Sequence, residues 1–204
     1  MKNSPIKLLC LEFVVLVTLM VLIAVFIHLD TAILNNRLSE LSFTEFSQSG
    51  FILLASISFF MKIKKEPESA GLFILISALF TMIFIREADY YLDFIYHGFW
   101  KVPVLIVFCS SIFYAYKNKD TIIAPLNHYQ NTKAFTYTFI GFMITIVFSR
   151  VFGTGRLWED IAATADSGYI KNVVQEGLEL FGYSLVLLGS VIVHLKHNKI
   201  STEH

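Results

Sequence analysis

The chain has 204 residues, of which 55% are hydrophobic and 15% aromatic, and its formal net charge is zero. This composition is too apolar for a typical water-soluble domain, so it favours a membrane protein. A net charge of zero gives no electrostatic reason to expect a nucleic-acid partner. The two cysteines, Cys10 and Cys109, lie inside apolar runs, which argues against a disulfide framework or a zinc site built on cysteine.

Six apolar runs follow one another along the chain, and we interpret each as a membrane-spanning helix. They cover residues 8–29, 46–61, 70–85, 102–116, 135–152 and 173–195. The second and fourth runs are short for a hydrocarbon core of about 30 Å, so we expect them to extend into their flanks or to end in snorkelling lysines. The sequence thus predicts an all-α polytopic membrane protein, a bundle of six transmembrane helices that forms one integral membrane domain over residues 1–204.

Basic residues at the ends of these runs predict the orientation of the chain. Ten of the sixteen fall on one side: Lys2, Lys7, Lys62, Lys64, Lys65, Lys117, Lys119, Lys133, Lys196 and Lys199. The positive-inside rule places that side, and with it both termini, in the cytoplasm. We therefore expect a multi-pass protein of the inner (plasma) membrane, of bacterial type.

A polar stripe follows the third apolar run directly. On a helix that turns about 100° per residue, one face of residues 86–100 would carry most of the ionisable side chains of this stretch. The members of that face are Arg86, Asp89, Tyr90, Asp93, Tyr96, His97 and Trp100. Charged groups near a bilayer are unfavourable unless they pair or serve a site, so an ordered row of them indicates an ion-pair network or a functional site.

The sixth run carries a matching stripe on one helical face. Its members are Asn172, Gln175, Glu176, Glu179 and Tyr183. The two acids lie inside the apolar run, so we expect them to be buried or to face other helices. The fifth run presents small and polar residues at helical spacing, which would let helix backbones approach closely. That face comprises Thr138, Gly141, Thr145 and Ser149.

The predicted topology brings these stripes to one pole of the bundle, where we predict an outward-facing polar pocket. Its candidate residues are Arg86, Asp89, Asp93, His97, Arg150, Arg156, Glu176, Glu179 and Tyr183. Carboxylates outnumber arginines there, and uncompensated buried carboxylates are unfavourable. A protonated carboxylate, a charged His97, or a bound cation, metal or cationic headgroup would each relieve the imbalance.

A divalent metal ion is one candidate cofactor of this pocket. Asp93, His97, Glu176 and Glu179 would supply oxygen and nitrogen ligands, a set that suits several divalent ions. The chain has no Walker loop, no dinucleotide fingerprint and no paired Glu-x-x-His motif of the carboxylate-bridged di-iron type. The spacing of the residues therefore names no particular metal.

Three functions remain open from the residues alone. The first is the binding of a cation or a polar lipid headgroup, with Arg150 and Arg156 contacting phosphate and the acids holding an amine or cation. The second is a membrane-embedded hydrolase or transferase in which the same carboxylates, His97 and Arg150 act on a substrate. The third is a structural or assembly subunit of a membrane complex, with a homo-oligomer or complex partner. In all three the chain contacts membrane lipid.

Overall fold

The computed structural model describes residues 5–35, 38, 42–162 and 166–200, and its regular structure in these ranges is helical throughout. Its helices are α1 Pro5–His28, α2 Phe43–Lys65, α3 Ala70–Glu87, α4 Asp89–Leu92, α5 Lys101–Lys117, α6 Ile123–Tyr129, α7 Lys133–Met143, α8 Ser149–Phe152, α9 Gly155–Ala162 and α10 Ser167–Ile200. A π-helical turn, Leu29–Ile33, continues α1, and another, Ile144–Phe148, joins α7 to α8. The predicted all-α class is confirmed for the described residues. The sequence predicts that both termini are cytoplasmic. The terminal residues themselves, 1–4 and 201–204, lie outside the described ranges.

Among the residues that the structure describes, five stretches are long and apolar enough to cross a membrane, which indicates a membrane protein. They are Ile6–Ile33, Phe43–Lys65, Pro67–Glu87, Lys133–Phe152 and Ser167–Leu195. The fourth predicted run also forms a helix, α5, but its 17 residues are fewer than these five stretches have. All six predicted runs are therefore helical, and five of them meet the length expected of a span.

The chain forms two compact units. The first contains residues 1–46 and 144–182, and the second contains residues 47–143 and 183–204. Because α10 runs without interruption from Ser167 to Ile200, its N-terminal half belongs to the first unit and its C-terminal half to the second.

Buried aromatic and aliphatic side chains form the core of the second unit. They come from α2, α3, α6, α7 and α10, and include Ile52, Phe59, Phe80, Tyr183 and Val186. Helix α5 packs along α3 in this unit and keeps a broad apolar face exposed. Such a face suits contact with lipid chains, because hydrocarbon accepts apolar side chains without cost.

Small residues allow helices of the second unit to approach closely, as the sequence predicts. Thr138 and Gly141 are buried in α7, and Gly189 of α10 faces the same helix. A Cβ on Gly189 would lie 2.7 Å from the carbonyl oxygen of Ala134 and 2.8 Å from the backbone nitrogen of Thr138. The absence of a side chain at Gly189 is therefore required for this packing.

The first unit buries a carboxylate that begins α2. Asp30 lies in the π-helical turn after α1 and is fully buried. Its Oδ1 accepts a hydrogen bond from the backbone nitrogen of Phe43 at 2.8 Å, and its Oδ2 accepts from the nitrogen and the hydroxyl of Thr44 at 2.7 and 2.6 Å. Unpaired N–H groups and the positive end of the helix dipole both favour an anion at this position. Asp30 therefore caps α2 from a distance in sequence.

Candidate functional site

A buried carboxylate, that of Glu179, is the centre of the polar cluster in the first unit. Glu179 lies in α10, and only 5% of its side chain is exposed. Its Oε1 accepts a hydrogen bond from the hydroxyl of Ser149 at 3.1 Å and another from the side-chain amide of Gln175 at 3.1 Å. Arg150 Nη2 lies 4.0 Å from the same oxygen. We call these four residues the Glu179 centre.

The π-helical turn before α8 places Ser149 and Arg150 beside Glu179. Ser149 is fully buried, and its hydroxyl also lies within hydrogen-bonding distance of the carbonyl oxygen of Thr145, one turn earlier. A serine hydroxyl carries one proton, so it donates either to that carbonyl or to Glu179 at any moment. Isolated π-helical turns are frequent at functional sites because they re-aim the side chains that follow them.

A glycine makes room for the second donor of the centre. Helix α8 ends at Phe152, and a Cβ on the next residue, Gly153, would lie 2.5 Å from Oε1 of Gln175. The amide of Gln175 therefore packs against the bare backbone of Gly153, with its nitrogen directed to Glu179. Gly153 and Thr154 thus link the end of α8 to the start of α9, and Gly153 also shapes the polar centre.

Arg150 lies beside the buried carboxylate of Glu179 and is itself partly exposed. Its side chain is 47% exposed, whereas that of its partner Glu179 is buried. A guanidinium carries five N–H donors in one plane, so an arginine that directs one edge to a carboxylate still offers donors to a second anion. The Glu179 centre therefore places a half-exposed guanidinium beside a buried carboxylate.

A short amphipathic helix follows the centre. In α9, Leu157 and Trp158 are half-buried, whereas Arg156 and Glu159 are exposed. The indole nitrogen of Trp158 donates a hydrogen bond to the carbonyl oxygen of Phe152 at 2.6 Å, which ties α9 to the end of α8. Arg156 is therefore exposed on the same unit as Arg150.

Glu176 lies one turn before Glu179 in α10 and is half-buried.

The second unit has its own carboxylate with two donors. Glu87 ends α3, and its Oε1 accepts from the hydroxyl of the buried Tyr183 at 2.9 Å and from Arg86 at 3.2 Å. Tyr183 was predicted from the stripe on the sixth run, but Glu87 falls outside the face predicted for residues 86–100. That face does not form as one helical surface, because α3 ends at Glu87 and a turn interrupts the chain before α4.

Asp93 and His97 form a separate pair in the turn after α4. Asp93 Oδ2 lies 2.9 Å from His97 Nδ1, and Asp93 Oδ1 accepts from the backbone nitrogen of Gly98 at 2.8 Å. The imidazole is fully exposed. Asp89, at the start of α4, is half-buried. The carboxylate of Asp93 therefore closes this turn.

The nine predicted site residues are divided between the two units. Arg150, Arg156, Glu176 and Glu179 belong to the first, and Arg86, Asp89, Asp93, His97 and Tyr183 belong to the second. The prediction that they share one pocket stays a prediction. Within the described ranges, no group of three or more His, Cys, Asp or Glu side chains is arranged to hold a metal ion, and the divalent-metal hypothesis likewise stays a prediction.

Sequence reasoning left three residues of these clusters out of the predicted site. Ser149 was assigned to the small packing face of the fifth run, and Gln175 lies on the polar face of the sixth run, one turn before Glu179. The sequence places Glu87 among the ionisable groups at the outer ends of the helices, but Glu87 is not one of the nine candidate residues. A buried acid requires hydrogen-bond donors. Gln175 precedes Glu179 by four residues, and this helical spacing could have identified it as a donor to the acid.

Comparison with known proteins gives no assignment. No protein-family model, no curated protein and no solved structure matches this chain.

Proposed function

We propose that this chain is a multi-pass protein of the inner membrane with six transmembrane helices and both termini in the cytoplasm, and that the Glu179 centre binds the phosphate of a polar lipid headgroup. The sixth span is α5. At about 1.5 Å per residue its 17 residues approach the thickness of the hydrocarbon core, and Lys101 and Lys117 at its two ends can reach the surfaces.

One observation carries the headgroup proposal: a half-exposed Arg150 lies beside the buried Glu179. A buried carboxylate without a cation is unfavourable, so Glu179 favours a nearby guanidinium. The exposed part of Arg150 then offers charge-assisted donors whose geometry matches phosphate oxygens. Arg156, exposed on α9 of the same unit, would supply a second contact. The acids would attract a headgroup amine or another cation.

A membrane-embedded hydrolase or transferase is the second candidate, and one contact favours it. The hydroxyl of Ser149 lies 3.1 Å from Glu179 Oε1, which is within reach for a general base and a nucleophile. However, Ser149 is fully buried, so a substrate would reach its oxygen only after α8 moved. Headgroup binding requires no such movement, and we prefer it for that reason. A structural subunit of a membrane complex is the third candidate.

The experiment is a phospholipid titration of the detergent-solubilised protein, followed by native mass spectrometry. Arg150→Gln removes the charge and the planar donors. Lys101→Gln is the matched control, because it removes one exposed charge that is not a member of the Glu179 centre. We expect Arg150→Gln to weaken phospholipid binding about tenfold, the effect of roughly 1.4 kcal/mol that one charge-assisted hydrogen bond supplies. We expect Lys101→Gln to change binding less than about twofold. Equal binding by the two variants would refute the proposal.

A further inference from the structure

Residues 88–100, which we call the aromatic segment, connect α3 to α5 in the second unit. The segment contains the short helix α4 and the turns that follow it. Large apolar and aromatic side chains project from it without cover. The exposed ones are Tyr90, Tyr91, Phe94, Ile95 and Tyr96, with Phe94 77% exposed and Ile95 63% exposed.

The rings of this segment contact one another. Tyr90 packs edge-to-face against Tyr91 and against Phe94, with ring centroids 5.5 and 5.6 Å apart. Tyr96 and Phe99 form a similar pair at 5.2 Å. Edge-to-face pairs fix the directions of rings relative to each other. The segment therefore presents an ordered aromatic surface.

The carboxylate of Asp93 holds the turn closed. Its two oxygens accept from Gly98 and pair with His97, and Gly98 has a φ of +82°, a conformation that favours glycine. The bonds of Asp93 therefore cross the turn and keep Phe94, Ile95 and Tyr96 exposed. This gives Asp93 and His97 a role as a clasp that needs no metal.

The position of the aromatic segment in the chain indicates which medium its exposed side chains contact. It begins directly after Glu87, where a helix long and apolar enough to cross a membrane ends. Phenol and indole rings favour the headgroup region of a bilayer, where the ring is in an apolar medium and the polar atom is hydrated. We propose that the aromatic segment inserts its exposed side chains into the interfacial layer of the leaflet at which α3 ends, and that the Asp93 clasp keeps them in that position.

Site-directed spin labelling in lipid nanodiscs tests this proposal. In a Cys10→Ser/Cys109→Ser background, the label is attached at Phe94→Cys or, as a second site, at Ile95→Cys. Lys119→Cys, which is exposed on the 3₁₀ turn after α5, is the aqueous reference, and Val17→Cys, in the middle of α1, is the lipid reference. Accessibility to oxygen reports contact with lipid, and accessibility to a water-soluble nickel chelate reports contact with water.

We expect the labels at 94 and 95 to be at least threefold more accessible to oxygen, relative to nickel, than the label at 119, and less so than the label at 17. Adding Asp93→Ala should shift both labels at least twofold towards nickel accessibility. Accessibility at 94 and 95 equal to that at 119 would overturn the proposal. So would protection from both reagents with dipolar broadening between labels, since that result would mean that a second copy of the chain covers the segment. No change with Asp93→Ala would overturn the role of the clasp.

Discussion

The hydroxyl of Ser149 connects the π-helical turn before α8 to the buried acid of the Glu179 centre. Ser149 has one proton and two acceptors, Thr145 O and Glu179. Glu179 in turn has Gln175 as a second donor and Arg150 as a nearby cation. The buried acid therefore does not depend on one partner.

This redundancy leads to a prediction for two variants of the centre. Ser149→Ala leaves Gln175 and Arg150 to Glu179, and we expect it to lower the free energy of unfolding by about 1 kcal/mol, the typical value of one hydrogen bond. Glu179→Ala removes the acceptor of both donors and the partner of Arg150, and we expect a loss of about 3 kcal/mol. Chemical denaturation in detergent measures both. Equal losses in the two variants would show that Glu179 does not organise the centre.

A buried phenol makes stability depend on alkaline pH. Tyr129, at the end of α6, lies outside the five spanning stretches, and burial raises its pKa from 10.0 to about 12, although a hydrogen bond to Thr138 opposes the shift. Between these pH values the unfolded phenol has lost its proton and the folded one still holds it. The free energy of unfolding therefore falls as pH rises, by at most about 1.4 kcal/mol per pH unit.

Tyr129→Phe should remove this part of the pH dependence. We expect the melting temperature of the wild type to fall more steeply between pH 9 and pH 11.5 than that of the variant. Tyr116→Phe, at an exposed position, is the control and should follow the wild type. All other side chains are the same in the wild type and in Tyr129→Phe, so the comparison of slopes isolates Tyr129. Parallel slopes in the wild type and Tyr129→Phe would contradict the assignment.

At the scale of elements, the sequence predicts the helices better than their ends. Apolar runs show where six helices lie because burial in lipid or in a core needs the same residues. The apolar runs do not show that α2 begins at Phe43, because the carboxylate that caps α2 belongs to Asp30, outside the helix. The local signal was present in Ser42 and Glu45, which have the spacing of a capping box.

The cap on α2 should be a large contributor to stability. Asp30→Asn retains one oxygen but directs an amide group at donors that need an acceptor, so we expect a loss of about 2 kcal/mol or more in the free energy of unfolding. Thr44→Val removes one hydroxyl donor and leaves both backbone donors to Asp30, and it should cost about 1 kcal/mol. Both are measured by denaturation. A loss with Asp30→Asn no greater than that with Thr44→Val would contradict the capping role.

Two glycines of the second unit give opposite expectations for the same substitution. Gly189→Ala places a methyl group against the backbone of α7, and we expect a loss of about 2 kcal/mol. Gly50→Ala, in α2, meets nothing within 4 Å and should be neutral or should stabilise the protein by up to about 1 kcal/mol through helix propensity. Thermal melts of both variants measure the difference. A stable Gly189→Ala variant would show that α7 and α10 are not closely packed there.

At the scale of the whole molecule, the number of spans determines which loops face outwards. With six spans, residue 119 lies in the cytoplasm and residue 156 outside. If α5 did not cross, both positions would exchange sides. In a Cys10→Ser/Cys109→Ser background, we therefore expect an impermeant maleimide to label Arg156→Cys on intact cells and to label Lys119→Cys only after permeabilisation. The reverse pattern would contradict six spans with the N-terminus in the cytoplasm.

The residue types of a candidate site were predictable from the sequence, but their grouping was not. Stripes on separate helices indicate which side chains avoid lipid, and Glu179, with Arg150 nearby, was found in this way. The partners of Glu87 and Asp30 depend on tertiary contacts and on where helices end, which periodicity does not determine. The turn at Ala88 is an example, because it separates Asp93 and His97 from the helical face that the sequence predicts for them.

The central claim of the proposal is that Arg150, which lies beside Glu179, contacts lipid phosphate. The most direct measurement is photo-crosslinking in membranes with a phospholipid that carries a diazirine in its headgroup, followed by peptide mapping. We predict that cross-links concentrate on residues 149–156 in the wild type and fall about tenfold in Arg150→Gln, while Lys101→Gln retains them. Cross-links that avoid this stretch, or that persist unchanged in Arg150→Gln, would contradict the account.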